Sequence, residues 1–325
     1  MSVTIHDVAR RANVSISTVS RAFTSPGLVR HQTRSRVLAA ASELGYHAAE
    51  APQPVVRTGH IGIVVSDLGN PFFTGVLDGV QARARQDDVA VLFASSDQDA
   101  ATEQNLVRRM ARQVDGVVLG SPSMTDDQLR ALAGQTTLVL LNREVPGIPS
   151  IVMDAADGMR QAIEHLAALG HRRCAYLGGP RMSWANRTRR QGLAEAAGRH
   201  GMEVVEFGPF PPVFEGGLQG ADLALAADVT AIVAYNDLVA FGALARLNAR
   251  GVPVPDEISL VGFDDLVFAA ISAPPLTTIA MPTEAAGRAA VTILLDLLDG
   301  DADEHTAQVL DTYLIVRATT APPAS

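Results

Sequence analysis

The stretch "VARRANVSISTVSRAF", residues 8–23, decides the fold of the N-terminal segment. It holds three arginines and no acid, and its apolar positions repeat with a helical period on both sides of Asn13. Asparagine tolerates the left-handed conformation that ends many helices, and Ser15 is a favoured N-cap for a following helix. The stretch therefore predicts two short helices joined by a tight turn, which is helix-turn-helix geometry.

The neighbouring residues extend this prediction to three helices. Thr4 and Asp7 have the spacing of a capping box, so the first helix is expected from about Ile5 to Ala12 and the second as far as about Phe23. A third helix is expected over 31–44, ending at Gly45. Apolar residues at helical spacing give the three helices a shared core, at Val8, Ala9, Ala12, Val14, Val19, Ala22, Val37, Ala40, Ala41 and Leu44.

The outer side of the second helix carries the candidates for base contact. Ile16, Ser17 and Arg21 fall at its N-terminal end and one turn further on, where helix-turn-helix proteins contact base edges. Arg21 suits a bidentate bond to guanine, and Ile16 suits a thymine methyl group. In the third helix, Thr33 and Arg34 suit a phosphate. From charge alone, these arginines are equally consistent with a solvated helix face.

The distribution of charge favours DNA contact by this segment only. Residues 1–57 hold seven arginines against three acids, a net charge of +4, so the remainder carries −13, which gives the total of −9. A basic head on an acidic body suggests that the head alone meets a polyanion.

The head resembles that of the LacI/GalR (lac-repressor) family of transcriptional regulators. The resemblance rests on "VTIHDVARRANVSISTVSRAF" (3–23) and "TRSRVLAAASELGY" (33–46), and it extends along the whole chain. It implies a DNA-binding repressor that acts as a homodimer on double-stranded operator DNA under the control of a small-molecule effector. It implies that Ile16, Ser17 and Arg21 contact the operator bases. The full set predicted to contact DNA is Thr4, Ser15, Ile16, Ser17, Thr18, Ser20, Arg21, Thr33, Arg34, Val55 and Val56.

The chain departs from the family pattern at two places. Arg30 stands where the family has a serine that caps the third helix, so we expect a weak cap there. In the predicted hinge, 47–60, Pro52 and Pro54 oppose a regular helix, and Val55 and Val56 replace the leucine that the family inserts into the minor groove. We expect this hinge to be extended, or at most one helical turn.

Composition excludes several other classes of protein. The single cysteine, Cys174, is compatible with a reducing cytosol, and the absence of both a signal-peptide pattern and a long apolar run predicts a cytoplasmic protein without membrane association. The dinucleotide, P-loop and nucleophile-elbow motifs are absent, and the eight histidines form no H-x-x-x-H pair. The sequence therefore predicts no enzyme, no cofactor and no metal site.

From Ile61 onward, apolar strands alternate with amphipathic helices. This pattern predicts parallel sheets covered on both faces, hence an α/β body. The strand candidates are 61–66, 89–95, 115–120, 137–142, 174–179, 204–208, 230–235 and 259–264. Helical stretches between them include 72–86, 101–113, 157–169, 187–200, 216–226 and 237–250.

The alternation pauses near 150–158, which supports two similar lobes. By resemblance to the family and to periplasmic sugar-binding proteins, the chain crosses between the lobes three times. The predicted domains are a head at 1–46, the hinge, and a two-lobed periplasmic-binding-protein-like body at 61–325. Within the body, the N-lobe is expected at about 61–155 and 282–309, and the C-lobe at about 156–281 and 310–325.

Ligands of open parallel sheets bind beyond the carboxyl ends of the strands. Carboxylate, guanidinium and amide groups converging with aromatic rings suit a polyol, so we expect a sugar-like or nucleoside-like effector. The candidates that follow the predicted strands are Asn70, Phe72, Phe73, Asn142, Arg143, Asp154, Ser183, Trp184, Arg189, Asn236 and Asp264. The resemblance supports Arg189, Asn236 and Asp264 in particular.

Simpler roles remain open for several candidates. Asn236 and Asp264 are equally placed to cap the helices that follow them, and Phe72 and Phe73 are equally suited to the core. Arg187, Arg189 and Arg190 also suit a solvated helix start. An alternative to the regulator is a solute-binding receptor with the same body, although such a receptor needs a signal peptide and no helix-turn-helix.

Overall fold

A computed structural model describes residues 3–24, 29–46, 57–301 and 307–324. The chain divides into two compact units, Met1–Arg57 and Thr58–Ser325, each with its own hydrophobic core. The hinge predictions at Pro52, Pro54, Val55 and Val56 lie outside the described residues.

The first unit contains the three predicted helices, α1 Ile5–Ala12, α2 Ile16–Thr24 and α3 His31–Leu44. Asp7 accepts hydrogen bonds from the backbone N–H and the hydroxyl of Thr4, at 3.0 and 2.7 Å, and the Ser15 hydroxyl accepts from the Thr18 N–H at 3.2 Å. Asn13 has φ 50°, in the left-handed region. These contacts confirm the predicted caps and bounds of α1 and α2.

The core of the first unit lies where the three helices meet. Val8, Val19 and Val37 are fully buried there, together with the alanines of the predicted set. Arg30 supplies no side-chain cap to α3, and Gly45 ends that helix at φ 65°. The expected weak cap at Arg30 is thus confirmed.

The second unit alternates strands with helices. Its strands are β1 His60–Val65, β2 Ala90–Ser95, β3 Gly116–Gly120, β4 Thr137–Leu141, β5 Ser150–Met153, β6 Arg173–Leu177, β7 Glu203–Phe207, β8 Ala231–Ala234, β9 Ser259–Val261, β10 Thr278–Ala280, β11 Ala307–Leu310 and β12 Tyr313–Ile315. Its helices are α4 Phe72–Ala84, α5 Ala100–Met110, α6 Asp126–Ala133, α7 Ala155–Leu169, α8 Trp184–His200, α9 Phe214–Leu225, α10 Asp237–Ala249, α11 Val267–Ile271 and α12 Thr283–Asp299, with a short 3₁₀ turn at Arg85–Asp87.

These strands form two parallel sheets and one small antiparallel pair. The first sheet has the order β11-β5-β4-β3-β1-β2, and the second has the order β7-β6-β8-β9. Helices α4 and α12 pack together, and α12 also contacts β3, β4 and β5 of the first sheet. The parallel sheets agree with the predicted α/β body.

The antiparallel pair β10–β12 lies where the chain passes between the two sheets. β10 leads into α12, which packs on the first sheet, and β12 follows β11 of that sheet. After β12, Thr319 and Ala321 hydrogen-bond β9 of the second sheet through Leu260 and Ser259. The lobe boundaries given above stay a prediction.

The structure differs from the sequence prediction in the shortest elements. Residues 150–158 do not interrupt the alternation, because β5 occupies Ser150–Met153 and α7 begins at Ala155. The strand predicted at 259–264 ends at Val261. Strands of three or four residues carry too few positions to show a period of two.

Candidate functional site

A cavity of about 260 Å³ lies at the carboxyl ends of strands from both parallel sheets. Its lining includes residues that follow β1, β3 and β4 of the first sheet and β6, β8 and β9 of the second. Nine of the eleven predicted ligand residues line it, namely Asn70, Phe72, Phe73, Asn142, Ser183, Trp184, Arg189, Asn236 and Asp264.

A buried ion pair joins two of these residues. Nη2 of Arg189 donates to Oδ1 of Asp264 at 3.1 Å, and the two side chains are only 4% and 3% exposed. Nη1 of Arg189 donates to the carbonyl oxygen of Tyr235. Because α8 carries Arg189 and the loop after β9 carries Asp264, the pair fixes the two segments against each other.

Two aromatic rings hold the guanidinium of Arg189. Its central carbon lies 4.6 Å from the ring centroid of Tyr235 and 3.9 Å from that of Phe263, within the range of cation–π contacts. The guanidinium is thereby held rigidly at the wall of the cavity. Arg189 is not a solvated helix residue, whereas Arg187 and Arg190 are exposed.

The backbone that presents Asp264 is strained. Asp264 has φ 116° and Asp265 has φ 55°, and each such conformation costs a residue with a side chain about 1 to 3 kcal/mol. Burial raises the pKa of Asp264 to about 6, although the charge and hydrogen bond of Arg189 lower it. Asp264 does not cap α11, whose N-cap position is Leu266.

The side of the cavity after β1 is formed by the start of α4. Phe72 and Phe73 are buried, with their ring centroids 5.1 Å apart at an interplanar angle of 89°. They belong to the hydrophobic core and also line the cavity. Oδ1 of Asn70 accepts from the Phe72 N–H at 3.0 Å, which holds the loop before α4.

After β3 and β4, two polar residues face each other in left-handed conformations. Ser121 has φ 50° and Asn142 has φ 57°, and Nδ2 of Asn142 donates to the Ser121 hydroxyl at 3.1 Å. Asn142 is 4% exposed, and its Oδ1 is buried without a hydrogen-bond partner in the described part of the chain. A buried acceptor without a partner is costly, so this oxygen suits a ligand donor.

Two lining residues also act as helix caps. Oδ1 of Asn236 accepts from the Val239 N–H at 2.9 Å, and Nδ2 donates to the Pro212 carbonyl oxygen at 3.0 Å. The Ser183 hydroxyl accepts from the Asn186 N–H and lies 3.2 Å from the Tyr235 hydroxyl. These bonds fix both residues at the rim of the cavity before any ligand binds.

Arg143 and Asp154 are not among the residues that line the cavity, so their role as ligand contacts stays a prediction. Arg143 lies behind the wall, where it donates to the Pro122 carbonyl oxygen and to Asp126 at 3.1 and 2.7 Å. Oδ1 of Asp154 accepts from the Asp157 N–H at 2.9 Å and caps α7. Both follow a strand, and each forms hydrogen bonds within the fold, although Nε of Arg143 is buried without a partner among the described residues.

Three further residues shape the site and were not predicted from the sequence. Tyr235 contacts Arg189, and its position in the sequence between β8 and Asn236 could have identified it. Asn186 is buried and bonds the backbone of Gly179 and Pro180, which holds the rim after β6. Oε2 of Glu103 accepts from the Ser123 N–H at 2.9 Å, and burial raises the pKa of Glu103 to about 7. Neither Asn186 nor Glu103 had a distinguishing sequence pattern.

The first unit presents the predicted base-contacting side chains to solvent. Ile16 is 43% exposed although it is apolar, and Ser17, Ser20 and Arg21 are exposed beside it. Within the described residues, Arg21 has no carboxylate within 4.0 Å, whereas Arg10 and Arg11 pair with Asp7 and Glu43 at 2.6 Å. Thr33 and Arg34 are half-buried in the first turn of α3.

Other site types find no support in the described part of the chain. No group of three or more His, Cys, Asp or Glu side chains there is arranged to hold a metal ion. None of the helices described above combines the length and hydropathy of a membrane-spanning segment.

Two family models match the chain. The model of bacterial regulatory proteins, lacI family, matches residues 4–49, and the model of the periplasmic binding protein-like domain matches residues 163–320. The HTH-type transcriptional repressor CytR of Escherichia coli K12 is 32% identical over 337 residues, which cover 98% of this chain and 96% of CytR. The chain belongs to the lacI family of bacterial regulatory proteins.

Other lacI-family proteins match over comparable lengths. The regulator CelR of Thermobifida fusca is 32% identical and covers 97% of both chains. Among solved structures, a CelR–cellobiose complex has a TM-score of 0.74 at 32% identity, covering 98% of this chain and all of that one. A lac repressor dimer bound to operator and the anti-inducer ONPF has a TM-score of 0.75 at 29% identity, covering 99% and 100%.

Membership of the lacI family confirms the predictions made from the head and from the body together. The chain is a DNA-binding transcriptional regulator with a helix-turn-helix head and a periplasmic-binding-protein-like body, and it is not an enzyme.

Proposed function

We propose that this lacI-family regulator is a homodimeric repressor whose operator affinity is controlled by a small uncharged polyhydroxy ligand, such as a sugar or nucleoside. One observation carries the proposal. The cavity brings the fixed Arg189–Asp264 pair together with polar and aromatic residues from the ends of both sheets. Its volume of about 260 Å³ is near the lower end of ligand pockets, which suits a small ligand.

The charges of the lining favour an uncharged ligand. Among the described lining residues the charged side chains are Asp67, Asp264 and Arg189. The guanidinium already donates to Asp264 and to the Tyr235 carbonyl oxygen. A phosphate or carboxylate group on the ligand would therefore lie near two carboxylates and near a guanidinium that already has hydrogen-bond acceptors. No new ionic interaction would offset the free energy lost when that group leaves water. Hydroxyl groups both donate and accept, which suits the amides and the carboxylate.

Ligands of related structures support the same class. The CelR structure is described as a cellobiose complex, and a lacI-family regulator from Enterococcus faecium, 26% identical with a TM-score of 0.72, is described with bound ribose. For this chain we propose the ligand contacts Asn70, Phe72, Phe73, Asn142, Ser183, Trp184, Arg189, Asn236 and Asp264.

The proposed control works by movement of two lobes, the N-lobe at about 61–155 and 282–309 and the C-lobe at about 156–281 and 310–325. A ligand that contacts both walls of the cavity favours their closed arrangement. Closure changes the spacing of the two heads of a dimer, which must match half-sites about one helical turn apart. By linkage, the operator alters ligand affinity by the same factor.

In the head, we propose that Ile16, Ser17 and Arg21 contact bases. Thr4, Ser15, Thr18, Ser20, Thr33 and Arg34 are proposed to contact or position the phosphate backbone. The exposure of Ile16 supports this assignment, as does the lack of a carboxylate near Arg21 among the described residues. The roles of Val55 and Val56 remain those implied by the family.

A homodimer needs a self-complementary surface, and α11 supplies a candidate. Val267 and Ile271, one turn apart, are 70% and 73% exposed, and Phe268 beside them is 47% exposed. Neighbouring exposed apolar residues of this size mark interaction sites more often than isolated ones do. The lac repressor structure described as an operator-bound dimer supports a second copy of this chain as the occupant.

Action on chromosomal operators places the proposed regulator in the cytoplasm. The alternative of a solute-binding receptor accounts for the body but not for the head, because the lacI-family match begins at residue 4.

An electrophoretic shift assay on a palindromic duplex selected from a random library tests the proposal. We expect salt-sensitive binding that changes on addition of an uncharged sugar or nucleoside and not of the corresponding phosphate. A response to the phosphorylated compound alone would contradict the proposed ligand class.

A further inference from the structure

The carboxyl group of Asp237 is buried beside the proposed ligand site without lining the cavity. Asp237 is the first residue of α10 and directly follows Asn236. Its side chain is fully buried, and it belongs to neither ion pair nearby, because Arg189 bonds Asp264 and Arg317 bonds Asp265. A buried carboxyl group without a cationic partner is expensive, so its contacts call for an explanation.

Asp237 joins two separate segments of the chain. Oδ2 accepts from the backbone N–H of Leu266 at 2.8 Å, at the end of the loop that presents Asp264. Oδ1 accepts from the hydroxyl of Thr278 at 2.6 Å, in strand β10. The Asp237 side chain therefore ties the loop 262–266 to β10.

A glycine makes room for this contact. A Cβ atom at Gly262 would lie 2.1 Å from Oδ1 of Asp237. A Cβ atom cannot lie this close to an oxygen to which it is not bonded. Only glycine at position 262 therefore lets the backbone pass this close to the Asp237 carboxyl group.

The two segments that Asp237 joins are the loop 262–266, which presents Asp264, and strand β10, through which the chain passes between the two sheets. The backbone N–H groups of Gly262 and Asp264 donate to the carbonyl oxygens of Thr277 and Ile279. β10 pairs with β12 and leads into α12, which packs against β3, β4 and β5 of the first sheet. A displacement of Asp264 is thereby linked to the strand through which the chain enters the first sheet.

We propose that Asp237 and Thr278 form a latch that transmits ligand binding at Asp264 to the crossover strand β10. The proposal rests on the proposed function, since it describes how that site communicates with the DNA-binding state. Asp237 is a positioning residue, because it contacts the loop and the strand and not the ligand.

Burial and the neighbouring carboxylate of Asp264 raise the pKa of Asp237 well above its usual range. An amide has the same shape as this carboxyl group: its oxygen can accept from the Leu266 N–H, and its N–H can donate to the Thr278 hydroxyl oxygen once that hydroxyl rotates. Asp237→Asn is therefore expected to preserve the latch, whereas Asp237→Ala and Thr278→Val remove it.

The first test measures hydrogen exchange in the full chain without ligand. Thr278→Val is expected to speed deuterium uptake in both 262–266 and 278–280, and Asp237→Asn is expected to leave uptake unchanged. Thr230→Val is the matched control, because its half-buried hydroxyl bonds His171 at 2.8 Å, outside the latch. Unchanged uptake in Thr278→Val, or equal acceleration by Thr230→Val, would overturn the latch.

The second test measures coupling, defined as the ratio of operator affinities with and without ligand. The DNA is the duplex that the wild type selects, and the ligand probe is whichever of cellobiose, ribose, glucose and uridine raises its melting temperature most. Coupling in allosteric proteins is typically about 5- to 150-fold. Thr278→Val is expected to bring this ratio close to 1 while the variant still binds both the probe and the DNA.

The outcomes separate the latch from the proposed function. Full wild-type coupling in Thr278→Val would overturn the latch. If Asp237→Ala does not fold, Thr278→Val decides alone. A wild type that responds to none of the four probes would count against the proposed function, and hydrogen exchange would still decide the latch.

Discussion

Arg189 and Asp264 form an ion pair that is almost completely removed from solvent, with 3.1 Å between Nη2 and Oδ1. Such pairs stabilise proteins little, because the loss of hydration offsets the attraction. This one also keeps Asp264 in a strained backbone conformation at φ 116°. A costly pair at the wall of a cavity is better explained by ligand binding than by stability.

Asp264→Asn should weaken ligand binding and leave operator binding intact. The amide keeps the shape but loses the charge, so we expect ligand affinity to fall about 10- to 100-fold. Calorimetry with the ligand and shift assays with DNA measure the two affinities separately.

The same substitution leaves the guanidinium of Arg189 buried without its partner, which costs about 3 to 5 kcal/mol. Circular dichroism must therefore establish that the variant is folded. Asp256→Asn, at an exposed carboxylate, is the control and should change neither affinity. A ligand response retained by Asp264→Asn would remove Asp264 from the ligand set.

Ligand affinity should fall as the pH drops through about 6. The raised pKa of Asp264 means that the folded protein takes up a proton below this pH, and a protonated carboxyl group accepts hydrogen bonds from ligand hydroxyls poorly. If only the ionised form binds, affinity falls about tenfold per pH unit below 6.

The sign is opposite for the contribution of Asp264 to folding. Because its folded pKa lies above the unfolded value, proton uptake stabilises the fold as the pH falls. Binding must therefore be measured directly and not through melting temperature. Glu103 is the other group that could cause the pH dependence of binding, because its pKa is about 7 and it accepts a hydrogen bond from Ser123 of the cavity lining. The pH dependence should persist in Glu103→Gln and vanish in Asp264→Asn.

The location of the site was predictable because the carboxyl ends of parallel strands converge. Asn70, Asn142 and Asp264 all follow a strand of the predicted alternation, and all line the cavity. Arg143 and Asp154 also follow strands, but they form hydrogen bonds inside the fold, to the Asp126 carboxylate and with the Asp157 N–H, and neither lines the cavity. The position of a residue in sequence does not reveal which side of a strand end it faces.

The latch between Asp237 and Thr278 was not predictable. The two residues are 41 positions apart, and Thr278 lies in a strand of three residues that shows no periodicity. The pair β10–β12 was not predicted for the same reason, because both strands have only three residues. By contrast, the caps of the head were predictable, because capping depends on residues within one helical turn.

Arg21→Ala should relax operator specificity at one base pair in each half-site. A bidentate bond to guanine contributes about 1 to 3 kcal/mol of discrimination, so about 5- to 150-fold of the preference at that position should disappear. Shift assays on a set of single-base variants of the operator measure this.

Arg10→Ala is the matched control, since Arg10 is exposed and pairs with Asp7 of its own helix. It should leave the base preference unchanged. Equal weakening of Arg21→Ala on every duplex would instead identify a phosphate contact.

Ile271→Glu should convert the dimer to a monomer. Its side chain is 73% exposed on α11, so the substitution leaves the fold intact but buries a charge in the proposed interface. Sedimentation velocity at micromolar concentration measures the oligomeric state. Val309→Glu, at an apolar residue that is 62% exposed on edge strand β11, should stay dimeric. A dimer that survives Ile271→Glu would place the interface elsewhere.

The fluorescence of Trp184 should change when the ligand binds. Trp184 is the single tryptophan of the chain, it is half-buried, and it lines the cavity directly after the Ser183 cap. A sugar ring or base stacked on the indole displaces water and alters its emission, so a titration reports binding at this site alone. Trp184→Phe should still bind the ligand by calorimetry while losing the signal. If emission stays constant with a ligand that calorimetry shows to bind, Trp184 does not contact the ligand.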